Sequence, residues 1–309
     1  MTLSVDDKIA LAITESRIEV ILPETYQECY DEVQPTAMGS AALRFDADGK
    51  VAWNEMWKGF CDLAMAGGPP HKGILLEPGN PTDIDAQPER YREVVNEICR
   101  GIQMVTDLEA HPSSVRGWIT VTCLTHGMAG WLLRAITMEN VAVRADALAL
   151  DVPAAPHFRL DKEIKNVVTV MAKTTHYWLS HTSHAHQEAI ARLFVTLSEE
   201  SALVVPATLT DDVAPDKNLF AATCAAETIR EATGLVASSR RYAGWLGIEC
   251  PTIGAAIWMM RAVVVNNVLS RREATVLFVA INALQDPGGI RVSAATINAY
   301  RLARARGVL

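Results

Sequence analysis

At 309 residues, half of them apolar and 21% charged, the chain can bury a sizeable core in two domains or in one large pseudo-symmetric one. A net charge of −8, with no run of five Lys or Arg, argues against a nucleic-acid partner, which needs a dense basic surface. The longest membrane candidate, Ala262–Leu269, is short and carries two asparagines, so no membrane span is expected.

The N-terminal stretch MTLSVDDKIALAITESR is acidic and lacks a long apolar run, unlike a signal peptide. Cysteines at 29, 61, 99, 123, 224 and 250 form no CxxC pair. They read as reduced, mostly buried thiols of a cytoplasmic protein. Residues 1–52 are expected to form an extension, with a hairpin over Ala42–Trp53 turning at Asp48-Gly49.

A first repeat unit is expected over 53–180. It begins with Gly67-Gly68-Pro69-Pro70-His71-Lys72-Gly73, a loop whose N–H groups and Lys72 can hold an anion. A buried strand is predicted at Lys72–Pro78 and a helix over Pro88–Leu108. Next come a strand ending at Cys123, a helix carrying Trp131, a strand over Arg144–Val152 and a helix over Asp161–Ser180. A second unit, 181–309, repeats the order. Its strands are predicted at Ser201–Pro206, up to Cys250, and at Glu273–Ile281. Its helices are predicted at Asp216–Thr233, around Trp258, and at Val292–Arg306.

The repeat is written in the residues. Gly117–Leu150 and Gly244–Leu277 align at an offset of 127 without a gap, and 14 of 34 positions are identical. Among the identities are Trp118/Trp245, Cys123/Cys250, Thr125/Thr252, Arg134/Arg261, Asn140/Asn267 and Arg144/Arg271. The fold class expected is α/β: a tandem duplication of an α-β-α-β-α-β-α unit, mostly parallel buried strands, and a pseudo-twofold, two-lobed molecule.

Arg261 is the only charge between Gly254 and Ser270, and Arg134 shares its stretch only with Glu139. A guanidinium in an apolar helix requires an anion. The candidates are a ligand, held by Arg134, Arg261, Arg144 and Arg271, or an internal carboxylate. At the strand-to-helix turn, Thr125 and Thr252 are suitable N-caps and ligand contacts. There Cys123 is a candidate nucleophile with His126 as its base.

The copies differ in their histidines, all eight of which fall between 71 and 186. The richest cluster holds Lys173, His176, Tyr177, His181, His184 and His186. His176, His181 and His184 can bind zinc, iron or manganese if a helix break lets them converge. Lys173, His176 and Tyr177 can otherwise move protons. The expectation is an enzyme acting on a small carboxylate or phosphate in a cleft between the units, by hydrolase or lyase chemistry. Gly68, His71, Lys72 and Gly73 would line it. Two alternatives stand beside it: a metal-free Cys123/His126 enzyme, and a non-catalytic binding or assembly protein. A homo-oligomer is compatible with each.

Overall fold

The computed structural model describes residues 5–27, 42–57, 62–208 and 214–309. The chain divides into two compact units. The inserted unit is Pro23–Ala191; the flanking unit joins Met1–Leu22 to Arg192–Leu309. Helix α1 (Val5–Ile21) belongs to the flanking unit, and α2 (Glu24–Gln27) opens the inserted one. Near Phe45 and Val51 the chain turns back on itself through Gly49, with a single antiparallel bridge between those two residues.

In the inserted unit, a short helix α3 (Pro81–Ala86) precedes α4 (Pro88–Thr106), which begins on a proline and stops at a left-handed Asp107. Proline suits a first helical turn because its missing N–H would be unpaired there anyway. One apolar face of α4 (Val94, Val95, Ile98, Ile102) is buried. Strands β1 (Ala110–Pro112) and β2 (Trp118–Thr122) follow, then α5 (His126–Met138). Strands β3 (Arg144–Asp146) and β4 (Ala149–Pro153) lead through one wide helical turn, Leu160–Ile164, into α6 (Lys165–Ser180). Helices α4 and α5 both pack on α6, and the Trp131 and Trp178 rings lie 5.6 Å apart at the α5–α6 contact.

Helix α7 (His184–Glu200) carries the chain into the flanking unit. That unit comprises α8 (Pro215–Thr233), β5 (Trp245–Glu249), α9 (Ile253–Val264), β6 (Ser270–Glu273), β7 (Val276–Ala280) and α10 (Ile290–Arg306). Helix α10 packs against α1, α8 and α9.

The expected parallel α/β repeat is not what forms. The protein is about 55% helical with two small sheets, ordered β1-β2-β4-β3 and β5-β7-β6, and every strand pair in them is antiparallel. The stretches read as single strands, Arg144–Val152 and Glu273–Ile281, each contain a reversal. Ala147-Leu148 joins β3 to β4, and Ala274-Thr275 joins β6 to β7. The first residue of each two-residue loop has positive φ, 52° at both alanines. Two-residue hairpin turns demand that conformation, but normally use Gly or Asn for it. Strand β7 is buried throughout, so its continuous apolar character reflects coverage of both faces without parallel neighbours. The strands predicted at Lys72–Pro78 and Ser201–Pro206 reduce to single parallel bridges, Leu76 to Val141 and Val204 to Val268.

Positions 127 apart take the same places in the two sheets. Trp118 lies opposite Pro153 and Trp245 opposite Ala280. Where β1 pairs with β2 through Ala110 and Val121, the flanking unit has a lone bridge between Ala237 and Ile248.

Candidate functional site

The inserted unit has a buried polar centre built at the end of α5. Glu139 caps that helix with no solvent exposure. A carboxylate buried there needs full compensation. It meets Lys173 Nζ at 2.7 Å, and Lys173 is equally buried. Its Oε1 also accepts from the Ala64 N–H at 2.9 Å, and its Oε2 from the His71 N–H at 2.8 Å. Asn140, with φ 61°, adds a bond from Nδ2 to the Lys72 carbonyl at 2.8 Å.

One N–H of the Gly-Pro loop, that of His71, and the N–H of Ala64 before the loop meet an internal carboxylate. Lys173, not Lys72, is its cation; Lys72 Nζ lies 3.9 Å from Glu163. Gly68 fits because any Cβ there would stand 2.5 Å from the Asp62 carbonyl oxygen, whereas Gly73 is exposed with open space around it. The second copy has other residues here: the positions 127 further on are Asn266 and Tyr300, and the Asn266 side chain donates to the Ala262 carbonyl.

Around this centre lie the groups able to move protons. Burial, and then the charge of Lys173, push the His71 imidazole down to about 4. It is therefore neutral near pH 7, with Nε2 3.0 Å from Asn166 Oδ1. Tyr26 donates its hydroxyl proton to Asp62 Oδ1 at 2.8 Å, and its oxygen lies 2.8 Å from the Tyr177 hydroxyl. A phenol has one proton to give, so Tyr177 is the donor in that second bond. The order is Tyr177 to Tyr26 to Asp62. Burial and both of these hydrogen bonds raise the Tyr26 phenol well above its ordinary range, which keeps it protonated.

Beside Tyr177 sit His176 and His181, with Nε2 atoms 3.1 Å apart and both rings half-buried. Five residues apart, they would diverge on a continuous helix. They meet because α6 stops at Ser180 and His181, with φ −123°, leaves the helical path. The Tyr177 ring lies 5.1 Å from His181 and 6.0 Å from His176. Burial, then the neighbouring His181, lower the His176 imidazole below its ordinary value.

The other predicted residues lie elsewhere. His184 is exposed and pairs with Glu188 at 3.4 Å, away from the His176–His181 pair it was expected to join. His186 is buried, with Nε2 3.1 Å from Gln27 Nε2. Among the described residues no group of three or more His, Cys, Asp or Glu is placed to hold a metal ion. His126 is exposed at the first position of α5. Burial pushes the Cys123 thiol up to about 12, which opposes a thiolate. Thr125 and Thr252 accept from the Met128 and Ala255 N–H groups as N-caps. Cys29 and Cys61 lie outside the described residues.

Arg134, Arg144 and Arg271 contact groups inside their own unit, and the fourth arginine, Arg261, is buried in a helix. Arg134 is buried in α5, gives Nη1 to the Gly130 carbonyl at 2.9 Å, and is drawn down to about 10 by burial. Arg261 is buried in α9. Arg144 places Nε and Nη2 on Asp151 Oδ2, at 2.9 and 2.7 Å, above the Trp118 ring. Arg271 meets Glu273 at 2.7 Å with both side chains fully buried, ringed by Phe278, Tyr242 and Trp245 at 4.1, 4.5 and 5.0 Å.

Tyr26, Asp62 and Asn166 belong to this site without any warning in the sequence. Glu139 did give one, as the lone acid at the end of an apolar helix. Comparison with family models, with curated proteins and with solved structures yields no match.

Proposed function

We propose that the inserted unit is a proton-transfer enzyme of the lyase or hydrolase class, acting on a small molecule at the Tyr177–His176–His181 face. One observation carries this reading: the directed chain from Tyr177 through Tyr26 to Asp62, at 2.8 Å per link, beside the half-buried imidazole pair. His176, lowered in pKa and so neutral at pH 7, is the general base. When Tyr177 accepts a proton at its hydroxyl it hands its own to Tyr26, and Tyr26 passes the compensating one to Asp62; the return of the proton runs the same links in reverse. Glu139 and Lys173 are positioning residues. They fix the Ala64–His71 backbone, and Lys173 Nζ also lies 3.4 Å from the Asp62 carbonyl. Arg144 and Arg271, already paired with carboxylates, lend no support to an anionic substrate; small carboxylates and phosphates enter only as compounds to test.

The test is a panel of small carboxylates, carbonyl compounds and phosphoesters incubated with the protein in D₂O and followed by proton NMR. The expected result is exchange or conversion of at least one compound, slowed about 100-fold or more in both Tyr177→Phe and His176→Gln. A wild-type protein inert to the whole panel, or turnover in either variant equal to that of the wild type, overturns the reading.

A further inference from the structure

The flanking unit contains a cavity of about 450 Å³ lined by Asn218, Leu219, Ala222, Ala226, Gly244 and Trp245, among others. Its origin is visible by comparison with the inserted unit. There, Tyr91 on α4 takes a hydrogen bond from the Gly117 N–H on its phenolic oxygen, at 2.8 Å. The positions 127 further on are Asn218 and Gly244. Gly244 keeps the geometry of Gly117: φ is 69° against 88°. A Cβ on Gly244 would stand 2.2 Å from the Ala207 carbonyl oxygen, as one on Gly117 would stand 2.7 Å from that of Gly79. The N–H is locked in place in both. The tyrosine is not, because Asn218 instead turns its Oδ1 to the Ala283 N–H at 3.1 Å.

The helix wall has thinned as well. Val95 and Cys99 of α4 correspond to Ala222 and Ala226 of α8, and both alanines face the cavity. The neighbouring Ala221 and Ala225 are small for a different reason, since Gly289 packs directly on them. The lining is mainly apolar but also carries Thr208, Thr223, Glu227 and Arg241; space of this size beside the fixed Gly244 N–H suits a small organic ligand.

We propose that this cavity binds a single-ring phenol, whose ring takes the place that Tyr91 holds in the inserted unit and whose oxygen accepts from the Gly244 N–H. The probe is p-cresol, the tyrosine side chain as a free molecule, with toluene as the control lacking the hydroxyl. Binding is followed by NMR shifts of the Trp245 indole. The expected result is saturable binding of p-cresol, about three- to tenfold tighter than toluene. Asn218→Tyr, which supplies the ring from within, abolishes it. Ala222→Val, which restores the residue type of Val95, weakens it and keeps the site testable should Asn218→Tyr fail to fold. Absence of p-cresol binding, equal affinity for toluene, or undiminished binding in a folded variant overturns the proposal.

Discussion

Lys173 and Glu139 meet at 2.7 Å with no solvent exposure on either side chain. Such a pair does not by itself make a protein more stable than an apolar one would be, because desolvation offsets the attraction. What it does here is fix a loop: the carboxylate also holds two backbone N–H groups, of Ala64 and His71.

Removing one partner strands the other. Lys173→Met is expected to destabilise the inserted unit by about 3–5 kcal/mol. The double variant with Glu139→Gln is expected to lose less than the sum of the two single changes, since it leaves no buried charge unpaired. Denaturant unfolding of the four proteins checks this, and additive losses would show the pair is not coupled.

His71 makes stability depend on pH in a stated direction. Its folded value of about 4 lies below the ordinary 6.5. Above pH 6.5 both folded and unfolded chains carry a neutral imidazole and nothing is lost. As pH falls from about 6.5 to about 4, the unfolded chain takes the proton first, so up to about 3 kcal/mol of stability disappears. Unfolding midpoints across that range are expected to fall less steeply in His71→Asn than in the wild type. Parallel curves would place the proton elsewhere.

Buried thiols resist alkylation. Burial pushes Cys123 and Cys250 up to about 12 and Cys99 up to about 11. Iodoacetamide at pH 8 is expected to leave all three unmodified in the native protein and to modify them in denaturant, as read by peptide mass spectrometry. Rapid native labelling of Cys123 would revive it as a nucleophile.

The hairpin alanines hold a conformation costing about 1–2 kcal/mol for an L-residue. Ala147→Gly removes that strain but makes the unfolded chain freer. A net gain of up to about 1 kcal/mol is expected, and Ala147→Val, β-branched at positive φ, is expected to lose stability. Thermal unfolding of both variants decides it; a destabilised glycine variant would mean the turn is unstrained.

These alanines also explain what the sequence hides. The helices are legible because proline opens α4 and α8 and left-handed residues, Asp107 and Gly234, close them. The hairpins are not, because alanine at a positive-φ turn carries no Gly or Asn turn signature. The meeting of His176 and His181 depends on where α6 stops, and no proline or glycine marks that stop. Tyr26 and Asp62 reach the site from a region of the sequence without pattern. Arg134 and Arg261 are legible in the sequence as arginines of apolar helices; the carboxylate pairs that the structure shows are at Arg144 and Arg271, with Asp151 and Glu273.

The flanking unit is assembled from both ends of the described chain. Glu15 of α1 meets Arg306 of α10 at 2.6 Å, and Asp7 meets Arg301 at 2.7 Å. During synthesis, α1 therefore leaves the ribosome well before the helix it packs against, with the whole inserted unit made in between. Its buried positions Thr14, Ile18 and Ile21 stay uncovered until α9 and α10, the helices that pack on it, have been made. A chain cut before Ile253 would lack both helices and leave that face of α1 open.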